Sequence, residues 1–322
     1  MMRRASAFIA CSLLIALFLS ALAFAQKPSD KPQQKKPQPV QQDDQTTKVG
    51  VFEVRLPVAV KERGKFVPSL TKNNFEIYED GKRQTIELFI APSKLPLDIA
   101  VLMDTSNSVK LKLPFEKDAA EDFVATVTTY RRKDQVSFIT FDSEVALHQD
   151  FTDSQELLIR AIRKVKAGGY TRLYDAVYRV IEEKMATLTG SDARRIIVVL
   201  SDGEDTASEH SLKEAIEMAQ RYDVTIFGIS TKNFKGTSSG LTENADDKEL
   251  RRLCEETGGQ IFLPAEKIEL FRAFTQVAQD LRQEYVIYYR PTTQEKTGKR
   301  REIKVKLVGA DGHLSHKQAY TY

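Results

Sequence analysis

Residues 97–108 read LDIAVLMDTSNS, and residues 196–205 read IIVVLSDGED. Each stretch opens with an apolar run that does not alternate, the pattern of a strand covered on both faces. Each then stops abruptly in carboxylates and hydroxyls. A strand buried on both sides needs helices above and below it. The surrounding chain supplies them. Apolar residues recur at three- and four-residue spacing after Pro114 (Phe115, Ala119, Ala120, Phe123, Val124, Val127). Helices are also expected over 157–165, 173–185, 212–219, 245–257 and 268–281, the one at 245–257 closed by Gly258-Gly259. Further strands fall at Val136–Phe141, Val224–Ile229 and Ile261–Leu263. Strands alternating with helices of this length predict an α/β domain over 95–283, a doubly wound, mostly parallel sheet.

Outward from this block the character changes to β. In 49–92, Val51–Val60 reads as a strand whose Pro57 suggests an edge or bulge. Residues 75–79 form another, and Asp80-Gly81 marks a hairpin turn into Lys82–Ala91, with Ile86, Leu88 and Ile90 expected on one face. In 284–322, Tyr285–Tyr289 and Ile303–Leu307 are strand-like, Asp311-Gly312 is a second hairpin signal, and Lys299-Arg300-Arg301 reads as a solvated, basic strand edge. Neither segment closes a core alone. The expectation is that 284–322 packs with 49–92, leaving the α/β domain inserted in a small split antiparallel β domain.

The N terminus is neither. Residues 1–25 hold 20 apolar residues behind Arg3-Arg4 and end in Ala23-Phe24-Ala25, which reads as a secretory signal peptide; an uncleaved anchor is the competing reading. Residues 26–48 contain seven Gln, five Lys and four Pro, a disordered linker. Cleavage would leave 297 residues with a net charge of +1, against +3 for all 322. That balance predicts no nucleic-acid partner, and loss of the leader no stable membrane insertion. The one remaining cysteine, Cys254, follows Leu250 and Leu253 at helical spacing and reads as core, so no internal disulfide is expected.

In an open α/β sheet, ligands sit beyond the carboxyl ends of the strands. There the sequence places Asp104-Thr105-Ser106-Asn107-Ser108, Gly168-Gly169-Tyr170-Thr171 and Ser201-Asp202-Gly203-Glu204-Asp205. All the donors are hard oxygens, which suit Mg²⁺, Mn²⁺ or Ca²⁺ rather than zinc or copper. Asp104, Ser106 and Ser108 alternate, so all three can face one ion. Helix caps and turns use the same residues, and Asp104 alone would fit that reading equally well. Glu204 and Asp205 read as a solvated turn, with acceptors behind the metal ligands as the competing reading, and the polar loop 232–248, close to the site edge, either shapes partner choice or is simply a long connection.

DTSNS resembles the DxSxS motif of von Willebrand factor A domains, and Thr171 in GGYTRLYDA and Asp202 in LSDGEDT match the family's second and third motifs. The flanks resemble those of secreted, acidobacterial von Willebrand factor A-related proteins. The resemblance implies a metal-ion-dependent adhesion site. Ser106 and Ser108 would ligate directly, Thr171 directly or through water, and Asp104 and Asp202 mainly through water. The ion would then accept an Asp or Glu carboxylate from a protein partner. The expected product is a secreted or periplasmic adhesion or scaffolding module. A structural part of an envelope assembly acting through its β domain is the second reading, and a metal-dependent hydrolase the third. Against catalysis, none of His148, His210, His313 and His316 falls in the motifs, and no HExxH or P-loop occurs.

Overall fold

The computed structural model describes residues 52–91, 95–129, 133–188, 193–232, 245–295 and 297–321. The leader and linker expected before residue 49, and most of the loop 232–248, lie outside these residues. The first strands are β1 (Val54–Glu62), β2 (Lys65–Phe66), β3 (Phe75–Glu79), β4 (Lys82–Gln84) and β5 (Ile86–Ile90). There follow β6 (Leu97–Asp104), α1 (Leu113–Thr128), β7 (Gln135–Phe141), β8 (Val145–Thr152), α2 (Gln155–Lys164) and α3 (Leu173–Glu183). Next come β9 (Arg194–Ser201), α4 (Leu212–Arg221), β10 (Val224–Ser230), α5 (Ala245–Glu256), β11 (Ile261–Phe262) and α6 (Lys267–Asp280). The chain closes with β12 (Tyr285–Tyr289), β13 (Arg300–Leu307), β14 (His313–His316) and β15 (Ala319–Thr321).

The central sheet has the order β11-β10-β9-β6-β7-β8. All its pairs are parallel except β7 with β8. The non-alternating runs are explained by two cores. Ile99, Val101, Met103, Ile196, Val198 and Leu200 join one cluster with residues of α1, α2 and α6. Ala100, Leu102, Ile197 and Val199 join the other with residues of α3, α4 and α5. Both faces of β6 and β9 are therefore covered, and each fully buried aliphatic contributes roughly 1.5–3 kcal/mol. β8 is an addition to the strands read from sequence. Its residues (VALHQDFT) are half-buried or exposed on the sheet edge, so they carry little hydrophobic signal.

The flanking strands form two further sheets, β14-β1-β12-β5 and β15-β13-β3-β4. Their shared core joins Leu56, Val58, Phe75 and Ile77 to Tyr285, Ile287, Tyr289 and Val305. Pro57 lies where β1 pairs with β12 but not yet with β14, so its missing N–H interrupts no second ladder. Asp80 and Gly81 both have positive φ (48° and 78°), as the turn between β3 and β4 requires.

Three expectations are corrected here. The return strand after Gly81 breaks at Thr85: β4 stays with β3, whereas β5 crosses to β12 in the other sheet. Leu88 on that edge strand is 51% exposed rather than buried beside Ile86. Asp311-Gly312 closes no hairpin, because β13 pairs with β3 and β15 while β14 pairs with β1. Arg301 is not solvated. It is 4% exposed, and its guanidinium meets Glu79 Oε1 at 3.2 Å, while the hydroxyls of Tyr289 and Tyr320 donate to Glu79 Oε2 at 2.9 and 2.7 Å.

The α/β block is tied to its flanks through the α6–β12 junction. Arg194 at the start of β9 ion-pairs with Glu284 and donates to the Leu281 carbonyl at 2.6 Å. Lys61 of β1 reaches Asp280 at the end of α6 (2.6 Å). Among the described residues no helix is long and apolar enough to cross a membrane.

Candidate metal centre

Asp104 is the last residue of β6, and Ser201 the last of β9, so both motifs leave the sheet on its carboxyl edge. Asp104 is fully buried. Its Oδ1 accepts the Ser106 N–H at 2.8 Å, which turns the chain back over the strand end. Its Oδ2 accepts the Ser201 hydroxyl at 2.8 Å. Ser106 Oγ and Ser108 Oγ lie 2.9 Å apart. Capping and ligation are thus compatible for Asp104, since one carboxylate shapes the loop that presents the two hydroxyls.

Backbone hydrogen bonds lace the three loops together. Gly168 N donates to the Thr105 carbonyl (2.7 Å) and Asn107 N to the Gly169 carbonyl (3.2 Å), joining the first and second loops. The Thr171 carbonyl accepts from Thr206 N (3.0 Å) and Ala207 N (3.1 Å), and Thr171 N donates to Thr206 Oγ1 (3.1 Å), joining the second and third. Gly169 has a φ of 85°, and a Cβ there would lie 2.7 Å from Ser143 Oγ, so only glycine fits this crossing. Asp104, Ser106, Thr171 and Asp202 are buried, whereas Asn107, Ser108, Tyr170 and Glu204 are exposed. The cluster therefore opens to solvent on the Ser108 side.

The electrostatics of these loops suit a cation. Burial pushes the Asp104 carboxyl up to about 6, helped by the neighbouring charge of Asp202 and opposed by its hydrogen bonds to Ser106 and Ser201. Asp202 Oδ1 is buried with no hydrogen-bond partner. An unpartnered carboxylate oxygen beside a second carboxylate is costly unless a positive charge joins it. The donor set itself is two hydroxyls that share one hydrogen bond, a buried threonine and two carboxylates, which fits a hard divalent ion. No group of three or more His, Cys, Asp or Glu suited to a metal occurs among the described residues.

Sequence reasoning missed several members of this neighbourhood. Ser201 links the first and third motifs, with its hydroxyl also accepting Gly203 N–H at 3.1 Å. Asp205 is not a solvated turn residue. Its Oδ2 accepts Tyr174 N–H (3.0 Å), capping α3, and the Ser208 hydroxyl (2.6 Å). Asp175 receives the backbone N–H groups of Glu209 and His210 and the His210 ring at 2.8 Å, pinning the far end of the same loop. A serine directly before Asp202 was the only readable sign of the first; the others depend on tertiary contacts.

The fold and the placement of these loops define an α/β module with a polar cluster at its sheet edge. The family model described as von Willebrand factor type A domain matches residues 98–277, more than half of the chain, and the protein belongs to that family. Such domains are commonly protein-interaction modules that bind a divalent metal at a metal-ion-dependent adhesion site. No curated protein sequence matches the chain. Solved structures similar to it include BatB from Bacteroides thetaiotaomicron (15% identity, covering 57% of this chain and 98% of that one, TM-score 0.42). PilB minor pilin from Streptococcus sanguinis is similar at 14% identity, 59% and 62% coverage and a TM-score of 0.46. Proximal thread matrix protein 1 from the mussel byssus, with a zinc-occupied MIDAS motif, is similar at 20% identity and a TM-score of 0.45. That match takes in 58% of this chain and 48% of the mussel protein.

Proposed function

We propose that this protein is a divalent-metal-dependent protein-binding module of adhesion or scaffolding type, secreted or periplasmic by its leader. The observation that carries the reading is the buried, unpartnered Asp202 Oδ1 set beside the paired Ser106 and Ser108 hydroxyls on one hydrogen-bonded ledge. Ser106, Ser108 and Thr171 would hold the ion through neutral oxygens, with Asp104 and Asp202 acting mainly through water. Mg²⁺ is the expected ion, with Mn²⁺ or Ca²⁺ as substitutes. Bound there, a divalent ion supplies a coordination position for an Asp or Glu carboxylate of a partner protein.

The chain's own contribution is orientation. The Asp104 side chain fixes the turn that lifts Ser106 and Ser108. The Thr105–Gly168 and Thr171–Thr206 links fix the second loop between the first and third. Exposed Ser108 leaves the approach open. No catalytic step is assigned, because Ser106 and Ser108 face each other rather than a general base. His148, His210 and His316 are engaged by Thr140, Asp175 and the Lys317 carbonyl.

The test is capture of partner proteins on the immobilised chain in Mg²⁺, with elution by EDTA. Wild type should release its partner on chelation, and Ser106→Ala/Ser108→Ala should capture none. Capture that survives both treatments rejects the metal bridge.

A further inference from the structure

The first turn of α1 sends a carboxylate into the protein rather than out of it. Glu116 is 1% exposed, and neither of its oxygens has a hydrogen-bond partner. Its backbone N–H donates to the Lys112 carbonyl at 3.1 Å, so the helix itself fixes where the side chain starts. Thr231, one residue past β10, is 1% exposed and its hydroxyl is also without a completed hydrogen bond. Burial chiefly disfavours the charge on the Glu116 carboxyl; the Thr231 hydroxyl and the Lys112 ammonium favour the carboxylate form, and the charges of Asp104 and Asp202 oppose it.

These groups stand on the ledge already described. Thr231 N–H donates to the Ser201 carbonyl at 2.8 Å, and the Ser201 hydroxyl donates to Asp104. Glu116, Thr231 and Asp202 therefore present unpartnered buried oxygens around one small region behind the metal motifs. They come from α1 and from the residues directly after β10 and β9, three separate places in the chain. Burying polar oxygens without donors is strongly disfavoured, and a third carboxylate beside two others compounds the cost. An assembly of this kind is stable when something supplies hydrogen-bond donors and positive charge together. Water held by a divalent cation does both.

We propose that Glu116 is a further positioning residue of the metal site, an inner carboxylate that works with Thr231 Oγ1 and Asp202 Oδ1 to receive hydrogen bonds from water on the bound ion. The proposal rests on the metal-site reading above. Glu116 does not touch the partner. It steadies the ion's inner side while Ser106 and Ser108 serve the outer one. The same carboxylate makes the metal-free protein less stable, since only the Thr231 hydroxyl and the Lys112 charge then offset its burial.

The test uses the full chain after EDTA treatment and dialysis, titrated calorimetrically with Mn²⁺ and melted in EDTA. Glu116→Gln keeps the shape and removes the charge. It should bind Mn²⁺ about 10-fold or more weakly than wild type, the usual effect of losing an outer partner of a metal site. In EDTA it should melt at or above the wild-type temperature. Thr231→Val, which leaves the helix untouched, should also weaken Mn²⁺ binding. Unchanged affinity in both variants overturns the proposal. So does an affinity loss in Glu116→Gln accompanied by a lower melting temperature in EDTA, which would make Glu116 a packing residue. A wild-type chain that binds no Mn²⁺ rejects the underlying metal reading instead.

Discussion

Ser201→Ala separates a structural hydroxyl from a merely buried one. The Ser201 side chain is fully buried, donates to Asp104 Oδ2 at 2.8 Å and accepts Gly203 N–H at 3.1 Å. Removing it leaves a buried backbone donor unsatisfied, at about 1–3 kcal/mol, and strips Asp104 of a hydrogen bond of the charge-assisted kind, about 1.5–3 kcal/mol. A total of about 3 kcal/mol lies toward the low end of the summed range, because both losses fall on one small hydroxyl. Domains of 150–250 residues lose about 2–4 °C per kcal/mol, so the melting temperature should fall by roughly 6–12 °C. The matched control is Ser137→Ala on β7, because the Ser137 hydroxyl is equally buried but has no partner. That change should leave stability the same or slightly higher. Thermal unfolding followed by circular dichroism in EDTA measures both. Mn²⁺ titration of the two variants adds a functional reading, with a loss of about 10–100-fold for Ser201→Ala and none for Ser137→Ala. Equal melting temperatures and equal affinities for the two variants would refute the idea that Ser201 couples the first and third motifs.

Three further outcomes follow from the same geometry. Burial raises Glu116 to about 8 and Asp104 to about 6, above the unfolded values of 4.5 and 3.8. The folded chain therefore favours their protonated forms, and that stability is complete below about pH 4 and is lost as pH rises through 6 and 8. In EDTA, unfolding free energies from urea titrations should fall over this window by an amount on the order of a few kcal/mol, and Glu116→Gln should flatten the part between pH 6 and 8; a flat wild-type profile would contradict it. Arg194→Met strands Glu284 in a buried setting and should cost about 3–5 kcal/mol in chemical denaturation, whereas Arg194→Met/Glu284→Leu should recover much of it; equal losses in both would remove the junction's importance. Cys254 is fully buried and burial pushes its thiol up, so it should ignore a thiol reagent such as Ellman's in the native state and react fully in denaturant; rapid native labelling would contradict the core placement.

Much of this molecule could be read before its coordinates. The unalternating strands at 97–104 and 194–201 dictated helices on both faces, since an apolar residue at every position leaves no face for water. The first and third motifs leave the sheet at the ends of β6 and β9, as the abrupt stop of each apolar run in carboxylates and hydroxyls indicated. What escaped reading depends on contacts distant in sequence. β8 is an exposed edge whose polar residues give no periodic signal. The strand after Gly81 divides between two sheets because β12, some 200 residues later, recruits its second half. Arg301 looked like a solvated charge until Glu79 and two tyrosine hydroxyls surrounded it. Glu116 lies in a helix whose other inward positions are apolar, and only the fold brings it to Thr231, Asp104 and Asp202.

The central claim is that Asp104, Ser106, Ser108, Thr171 and Asp202 hold one divalent ion. Mn²⁺ binding followed by electron paramagnetic resonance tests it without any partner. Wild type should bind one Mn²⁺ per chain, displaced by excess Mg²⁺, and Asp104→Ala or Ser106→Ala/Ser108→Ala should leave the free-ion spectrum unchanged while remaining folded. Wild-type protein that binds no Mn²⁺, or serine variants that bind it as tightly as wild type, would contradict the account.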